Sequence, residues 1–575
     1  MIRLSLLVSL GLIGFTLACP AEPCDAITIF ADGKQPIREL FVSPDGNNSS
    51  GDGSRDNPWQ TISRAADDSR PGDAIRLLPG NHSPGAFIQS LHGSAEQPIW
   101  LGGVPGEDRP VISGGNQAIH FVRARYLVVE NIEVTGSIQN GINCDDGGDT
   151  ADPDAARHIL FRNIIFSDIG TGGNQDALKL SGVDDYAVLD CEFARSSAGG
   201  SGIDHVGCHA GLIAGCTFVD MGSNAIQCKG GSSDIEIRRN RFYNAGLRAI
   251  NIGGSTGFQF FRPPLSRDNP NVEARNIRVI ANLFEGSDTP VAFVGTVDSV
   301  VANNTMVNPT IWLMRILQET TSTADFEFLP CSNNAFINNL VTFSRGVIRT
   351  FVNIGPNTDA ASFEFAHNLW YAHDDPGQSL PTLPAVETNG IAGSDPLLRN
   401  VLEQDFSITS DSPAVGKGQR TELVKADFLD TCFADLPSIG AYELQPVGPG
   451  PDRDDDGMPD AWEALHQFDA DDPDDAQLDF DGDLLSNVGE FIAGTDPTQA
   501  GSVFSIIFPR LEAGEMVFSY GTQAGRLYRV EGLSVTENNW TEVESRSGDG
   551  RAVEVRRRVD SMNGQLFRVA VEMQP

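Results

Sequence analysis

Lys179, Asp204 and Lys229 follow one another at steps of 25 residues, and Arg248 lies 19 residues further on. These types suit one kind of chemistry. Taking a proton from a carbon beside a carboxylate needs a base, and it needs positive charge to neutralise that carboxylate while the carbanion develops. Lys229 suits the base, because a second cation beside it, Lys179 or Arg248, favours the neutral amine. Asp176 and Asp204 suit the holding of a cation. The same two carboxylates are also the nearest candidates for the acid and base pair that glycosidic hydrolysis would require.

A second constellation lies near the C-terminus. From Asp452 to Asp496 there are sixteen acidic residues, and only Arg453 opposes them. Their spacing is ordered. Asp452, Asp454, Asp456, Gly457, Asp460 and Glu463 fall at positions 1, 3, 5, 6, 9 and 12 of an EF-hand-like loop, a set of oxygen ligands fitted to Ca²⁺. Asp479, Asp481, Asp483, Asn487 and Glu490 repeat the pattern, with Leu484 where the first loop has glycine. Structural Ca²⁺ is the expected cofactor, and a plain acidic linker is the alternative.

Residues 25 apart can share a site only if the chain returns to the same place at that interval, and the sequence does repeat. One phrase starts at Asn131, Asn163, Asp190, Gly215, Asn240, Asn282, Asn304, Asn339 and Asn368; its best preserved steps, 163 to 190 to 215 to 240, are 27, 25 and 25 residues. Between these lies a second phrase, at Gly141-Ile-Asn-Cys144, Ala177-Leu-Lys-Leu180, Gly202-Ile-Asp204, Ala225-Ile-Gln-Cys228 and Ala249-Ile-Asn-Ile252. Each alternates apolar and polar residues, the period of a strand. Strands this short cannot bury an apolar face alone. Stacked coils can, by pairing each strand with the next at about 4.8 Å around a continuous apolar column. The expected fold is therefore all-β, a right-handed parallel β-helix, with Asn at a recurrent corner where its amide can form a ladder. The period is wrong for leucine-rich repeats and for propeller blades.

That fold fixes the register of the candidate site. With Ile142, Leu178, Ile203, Ile226 and Ile250 turned inward, the outward column is Asn143, Lys179, Asp204, Gln227 and Asn251. Lys229 then falls two residues along from Gln227, and Arg248 lies nearby. Outward Lys, Asp and Asn are equally what a solvated face would carry. His205 and His209 are expected to be packed or surface groups.

The opening of the repeat region, Phe41-Val-Ser-Pro-Asp-Gly46, Trp59-Gln-Thr-Ile62, Pro71-Gly-Asp73 and Leu78-Pro-Gly-Asn-His82, resembles secreted β-helix proteins of the pectate-lyase-like superfamily. So does the closing segment Phe406-Ser-Ile408, Ser412-Pro-Ala-Val-Gly416 and Ile439-Gly-Ala-Tyr-Glu443. The resemblance implies a β-helix over residues 38–445, capped at its start by a short helix from Thr61 to Asp68. Within it, Ala225 to Asn240 is similar to the coil that bears the catalytic Lys in the chondroitinase B and alginate lyase group, a resemblance that falls on Lys229. Arg248 then stands where that group has a catalytic Arg, although Ala249 follows it in place of the group's usual His-Gly. What this implies is a lyase cutting uronate-containing polysaccharide by β-elimination. A non-catalytic glycan-binding or structural surface protein is the other class. A long insertion, Thr256 to Ala274, with Phe258, Phe260, Phe261 and Arg262, suits either a sugar subsite or a loop packed on the wall.

Residues 446–500 read as a Pro/Gly linker, Pro446 to Gly450, and the acidic segment, which resembles thrombospondin type 3 calcium repeats. Residues 501–575 alternate like strands, as a small β-sandwich similar to the accessory domains of secreted bacterial enzymes. At the other end, Arg3, the apolar run Leu4 to Leu17, and Ala18-Cys19 form an export signal over residues 1–19. Phe15 to Cys19 resembles a bacterial lipobox, which would lipidate Cys19; cleavage near Ala21 is the alternative. The expected place is extracellular or at the cell surface, as a monomer that meets a membrane only through an N-terminal lipid. A formal net charge of −38 excludes nucleic acid as a partner, since phosphate binding needs clustered Lys and Arg. Of the nine cysteines, Cys191 with Cys216 and Cys144 with Cys228 occupy equivalent repeat positions and read as small core residues. Cys331 with Cys432, both beside loops, is the first pair to test for a bridge.

Overall fold

A computed structural model describes residues 24–150, 152, 154–444, 452–454, 456–512, 515–522, 526–534, 539–547, 552–558 and 565–573. The export signal with Cys19 and the linker Pro446 to Gly450 lie outside the described residues. The chain forms two compact units, one holding residues 27–444 and the other residues 445–575 together with 1–26.

The larger unit is a parallel β-helix. Successive coils contribute short strands to three parallel sheets, of 14, 10 and 12 strands. Alternation decides what each strand buries. In the second sheet Ile119, Ile142, Leu178, Ile203, Ile226, Ile250, Val291, Met314 and Val352 stand in register from coil to coil. All point into one apolar column that runs from Leu40 to Ala372. In the third sheet Phe166, Phe193, Phe218, Phe242 and Phe284 stack with ring centroids 4.9, 4.7, 5.0 and 4.7 Å apart. That spacing is the strand separation itself, so pairing and stacking reinforce each other. The helix Ile62–Asp68, N-capped by Thr61, closes the column with Ile62 and Ala65.

The recurrent corner is built from two adjacent columns, and the structure corrects the alignment of the first phrase by one residue in its second half. Asn131, Asn163, Asp190 and Gly215 are left-handed corners, with φ from 52° to 68°. Their structural equivalents further on are Arg239, Ala281, Asn303, Asn338 and His367, each with φ between 51° and 56°. Asn240, Asn282, Asn304, Asn339 and Asn368 occupy the next position, which Ile132, Ile164, Cys191 and Cys216 fill earlier. There the side chain turns inward and forms a fully buried amide ladder. Asn240 Nδ2 donates to Asn282 Oδ1 at 3.0 Å, Asn282 to Asn304 at 3.0 Å, Asn304 to Asn339 at 2.9 Å and Asn339 to Asn368 at 3.1 Å. Each Oδ1 also accepts the backbone N–H of the preceding Asn, so no buried donor is left without a partner along the ladder.

The closing segment lies along the outside of the third sheet, with Phe406 and Ala441 against Leu283 and Val307, and Ile408, Ala414 and Ile439 against Leu340 and Leu369. Cys144, Cys191, Cys216 and Cys228 are buried free thiols in the column. The candidate Cys331–Cys432 bridge is not formed: Cys331 is a free thiol buried in the column, and Cys432 is disulfide-bonded elsewhere.

The smaller unit contains the helices Asp460–His466 and Asn487–Ala493, each following one of the acidic loops. Two three-stranded antiparallel sheets come after them. They share one core, with Phe518, Tyr520, Val553 and Val555 from one sheet against Tyr528 and Val530 from the other.

Candidate functional site

The outward face of the second sheet carries, coil by coil, His120, Asn143, Lys179, Asp204, Gln227, Asn251, Ala292, Arg315 and Asn353. Lys179 Nζ donates to Asp176 Oδ2 at 3.3 Å and makes a short contact with Asp204 Oδ2. Lys229 Nζ lies 3.3 Å from the other Asp204 oxygen, Oδ1. The result is an alternating chain, Asp176, Lys179, Asp204, Lys229, with both carboxylates fully buried and both lysine side chains only slightly exposed. Asp176 is further tied by the Ser201 N–H, which donates to its Oδ1 at 2.9 Å.

This geometry divides the two lysines. Burial opposes the charge on Lys179, but Asp204 and Asp176 together outweigh it and raise its pKa. Lys179 is therefore a fixed cation. Asp176, buried and beside Asp204, is pushed up to about 6. Asp204 is held below the usual carboxylate range, because its desolvation is overcome by Lys179 and Lys229. The Lys179 ammonium stands between the two carboxylates that the sequence suggested for a bound cation. These residues do not fit a divalent ion, since their charge is already neutralised and Asp204 offers no exposed oxygen.

Arg248 is on the same face, in a strand paired with that of Lys229. It donates to Asn251 Oδ1 at 3.0 Å and to Glu319 at 2.7 Å. The turn after Lys229 is held from below. Glu273 is fully buried and accepts from Gly230 N at 2.8 Å and from Thr256 at 2.7 and 2.9 Å, with Thr320 as a further donor. Gly254, at φ 154°, passes directly over Gln227 and Lys229; a Cβ there would lie 2.5 Å from Gln227 Nε2.

The insertion 256–274 packs rather than opens. Arg262 is buried and bidentate on Asp184, at 2.6 and 2.7 Å. Phe261 is buried against Phe328, and Phe258 packs on both, while Phe260 stays exposed. His205 faces inward, where burial lowers its pKa to about 4; His209 is part-buried and pairs with Asp184 at 2.9 Å.

The second phrase does not end at Ala249-Ile-Asn-Ile252. Continuing it through Val291-Ala-Phe293, Met314-Arg-Ile316 and Val352-Asn-Ile354 would have placed Arg315 and Asn353 in the outward column. His120 is found the same way, one coil before Asn143, and its Nε2 is 2.6 Å from Asp145 Oδ2.

In the acidic loops three carboxylate groups converge: Asp452, Asp454 and Asp456; Asp456, Glu463 and Asp475; and Asp479, Asp481 and Asp483. Asp475 was not foreseen. Glu463 is wholly buried with both oxygens lacking a partner, and Asp454 likewise has two unpaired oxygens. Burial and neighbouring carboxylates push Glu463 up to about 7; burial, with Asp481 and Asp483 adding, does the same for Glu490. Asp460 pairs with Arg453 at 3.2 Å, and the Asn487 amide donates to Asp475 O at 2.9 Å.

No family model matches this chain, and no curated protein matches it. Among solved structures it is similar to the pectate lyase Pel9A, at 15% identity and a TM-score of 0.46, covering 72% of this chain and 98% of that one. A rhamnogalacturonan lyase matches at 14% identity and a TM-score of 0.42, over 58% of this chain and 87% of that one. An alginate lyase from Paenibacillus matches at 16% and 0.34, over 61% and 95%.

Proposed function

We propose that the chain is a polysaccharide lyase that cleaves a uronate-containing polymer by β-elimination in the groove on the second sheet. The observation that carries this reading is the Lys179, Asp204, Lys229 group, with Arg248 on the same face. Lys179 is held between two carboxylates, whereas Lys229 pairs with Asp204 alone and is the candidate base. In the reaction Lys229, once its ammonium proton has passed to solvent, takes the proton on the carbon beside the uronate carboxylate. The electrons of that C–H bond form the C=C bond, and the C–O bond to the next sugar breaks. The departing oxygen takes back the proton from Lys229 and leaves as an alcohol. Arg248 and the Lys179 ammonium stabilise the charge that develops on the carboxylate. Alginate, pectate and chondroitin, each tested for an unsaturated uronate product, separate this reading from its rival.

That rival is a non-catalytic glycan-binding wall. One feature favours it: all four charges of the cluster are internally paired, as they would be if their role were to pin three coils together. A Lys229→Ala variant that binds acidic polysaccharide as the parent does, with no product from either, would support it.

We further propose that the acidic loops bind structural Ca²⁺ and that the protein works outside the cytoplasm, anchored or free. The buried, unpartnered oxygens of Glu463 and Asp454 support the first, because a buried carboxylate without a counter-charge is costly. The N-terminal sequence supports the second.

A further inference from the structure

Arg315 lies in the outward column three strands beyond Gln227, a distance of about 14 Å at the usual strand spacing. Its guanidinium is fixed on two sides. Nε donates to Asn353 Oδ1 at 2.9 Å, and the group lies over the Trp312 ring at 4.4 Å. It is half-buried, and no carboxylate lies within ion-pair distance of it among the described residues. Glu319, one of the two carboxylates whose charge reaches Arg315, is paired with Arg248 at 2.7 Å. Partial burial, and then the neighbouring Arg248 charge, lower the guanidinium's pKa, against the opposing pull of the Glu319 and Asp288 carboxylates. Between Asn251 and Arg315 the column carries only Ala292, a short side chain that leaves the groove open over that rung.

A rigid, partly desolvated guanidinium with its terminal N–H groups unmatched is built to receive a planar anion. We infer that Arg315 is a carboxylate subsite, which selects polymers acidic at more than one position along the groove. This deepens the lyase reading and rests on its groove, but it concerns binding and not turnover. A chain laid along the column presents one carboxylate at Lys179 and Lys229 and a later one at Arg315. Sparse acid groups satisfy only one end.

The test is binding of oligogalacturonate and oligoguluronate, against carboxyl-reduced versions of the same lengths, to the whole protein, its Arg315→Gln variant and its Arg315→Lys variant. Isothermal titration gives affinity, and Trp fluorescence, with Trp312→Phe as control, reports arrival at the stack. Thermal unfolding checks that each variant is folded. The expected result is that Arg315→Gln weakens binding of the acidic oligomers about tenfold or more, that Arg315→Lys restores only part, and that reduced oligomers bind all three proteins alike. Equal affinity of the parent and Arg315→Gln for the acidic oligomers overturns the inference, as does absence of binding by the parent. Binding that depends on Arg315 with no unsaturated product defeats the lyase reading and leaves the subsite standing.

Discussion

Lys229 and Lys179, two coils apart, hold opposite oxygens of the single Asp204 carboxylate, Lys229 at 3.3 Å from Oδ1 and Lys179 in short contact with Oδ2. The carboxylate has no access to solvent, so its charge depends on those two groups. The two lysines are not equivalent, because only Lys179 also pairs with Asp176.

Removing each lysine should therefore have different consequences. Lys179→Ala leaves two buried carboxylates short of a partner and should cost about 3 kcal/mol or more of stability, read as a lower urea midpoint. Lys229→Ala leaves Asp204 paired with Lys179 and should cost about 1 kcal/mol, while lowering turnover by about a hundredfold or more. Equal destabilisation by the two variants would show that the cluster only braces the sheet.

His205 provides a pH dependence. Its pKa is about 4 in the folded chain against an ordinary 6.5, because burial disfavours the imidazolium. Between those values the unfolded chain binds the additional proton, so stability is whole above about pH 6.5 and declines as pH falls towards about 4. The full loss approaches about 3 kcal/mol. Replacing His205 with Leu should flatten this part of the profile in urea titrations from neutral pH to about pH 4.5; an unchanged slope would mean that the ring is not kept neutral.

The two corner columns predict opposite tolerance to the same substitution. Asn304→Ala empties a buried rung, strands the Asn282 amide and the Val279 and Ala302 carbonyls, and should cost about 3 kcal/mol. Asn163→Ala, at a left-handed corner, should cost about 1 kcal/mol. Calorimetric melting temperatures of the two variants decide this, and equal losses would restore the single-column alignment.

Chelation tests the acidic loops. Adding EGTA to the whole protein should lower the unfolding transition that involves Phe518, Tyr520 and Tyr528 and leave the β-helix transition in place. Glu463→Gln should reduce the Ca²⁺ bound in equilibrium dialysis. Unfolding curves identical with and without chelator would remove Ca²⁺ from the account.

Much of this molecule is legible in its sequence, because a β-helix repeats one local rule. Ile226-Gln-Cys228 alternates as its neighbours do, and that alone assigns Gln227 to the groove and Cys228 to the core. The one-residue slip at Asn240 arose because the corner and the inward position next to it both accept Asn. The count to the stacked Phe distinguishes them, three residues from Gly215 to Phe218 but two from Asn240 to Phe242. The Arg248 and Glu319 pair spans 71 residues, and no local pattern marks it. Nor does spacing show that Lys179 fills the place between Asp176 and Asp204, since the sequence offers the three charges without saying which neutralises which. Cys331 was misread for a similar reason: a residue near a loop in sequence is folded back into the column.

The central claim is that Lys229 removes a proton beside a uronate carboxylate. The most direct measurement is ultraviolet absorbance of the conjugated unsaturated uronate during incubation with alginate, pectate and chondroitin, for the whole protein and for Lys229→Ala. The account predicts rising absorbance with one of these polymers and a rise about a hundredfold or more slower with the variant. No rise with any of them, or the same rise with Lys229→Ala, would contradict it.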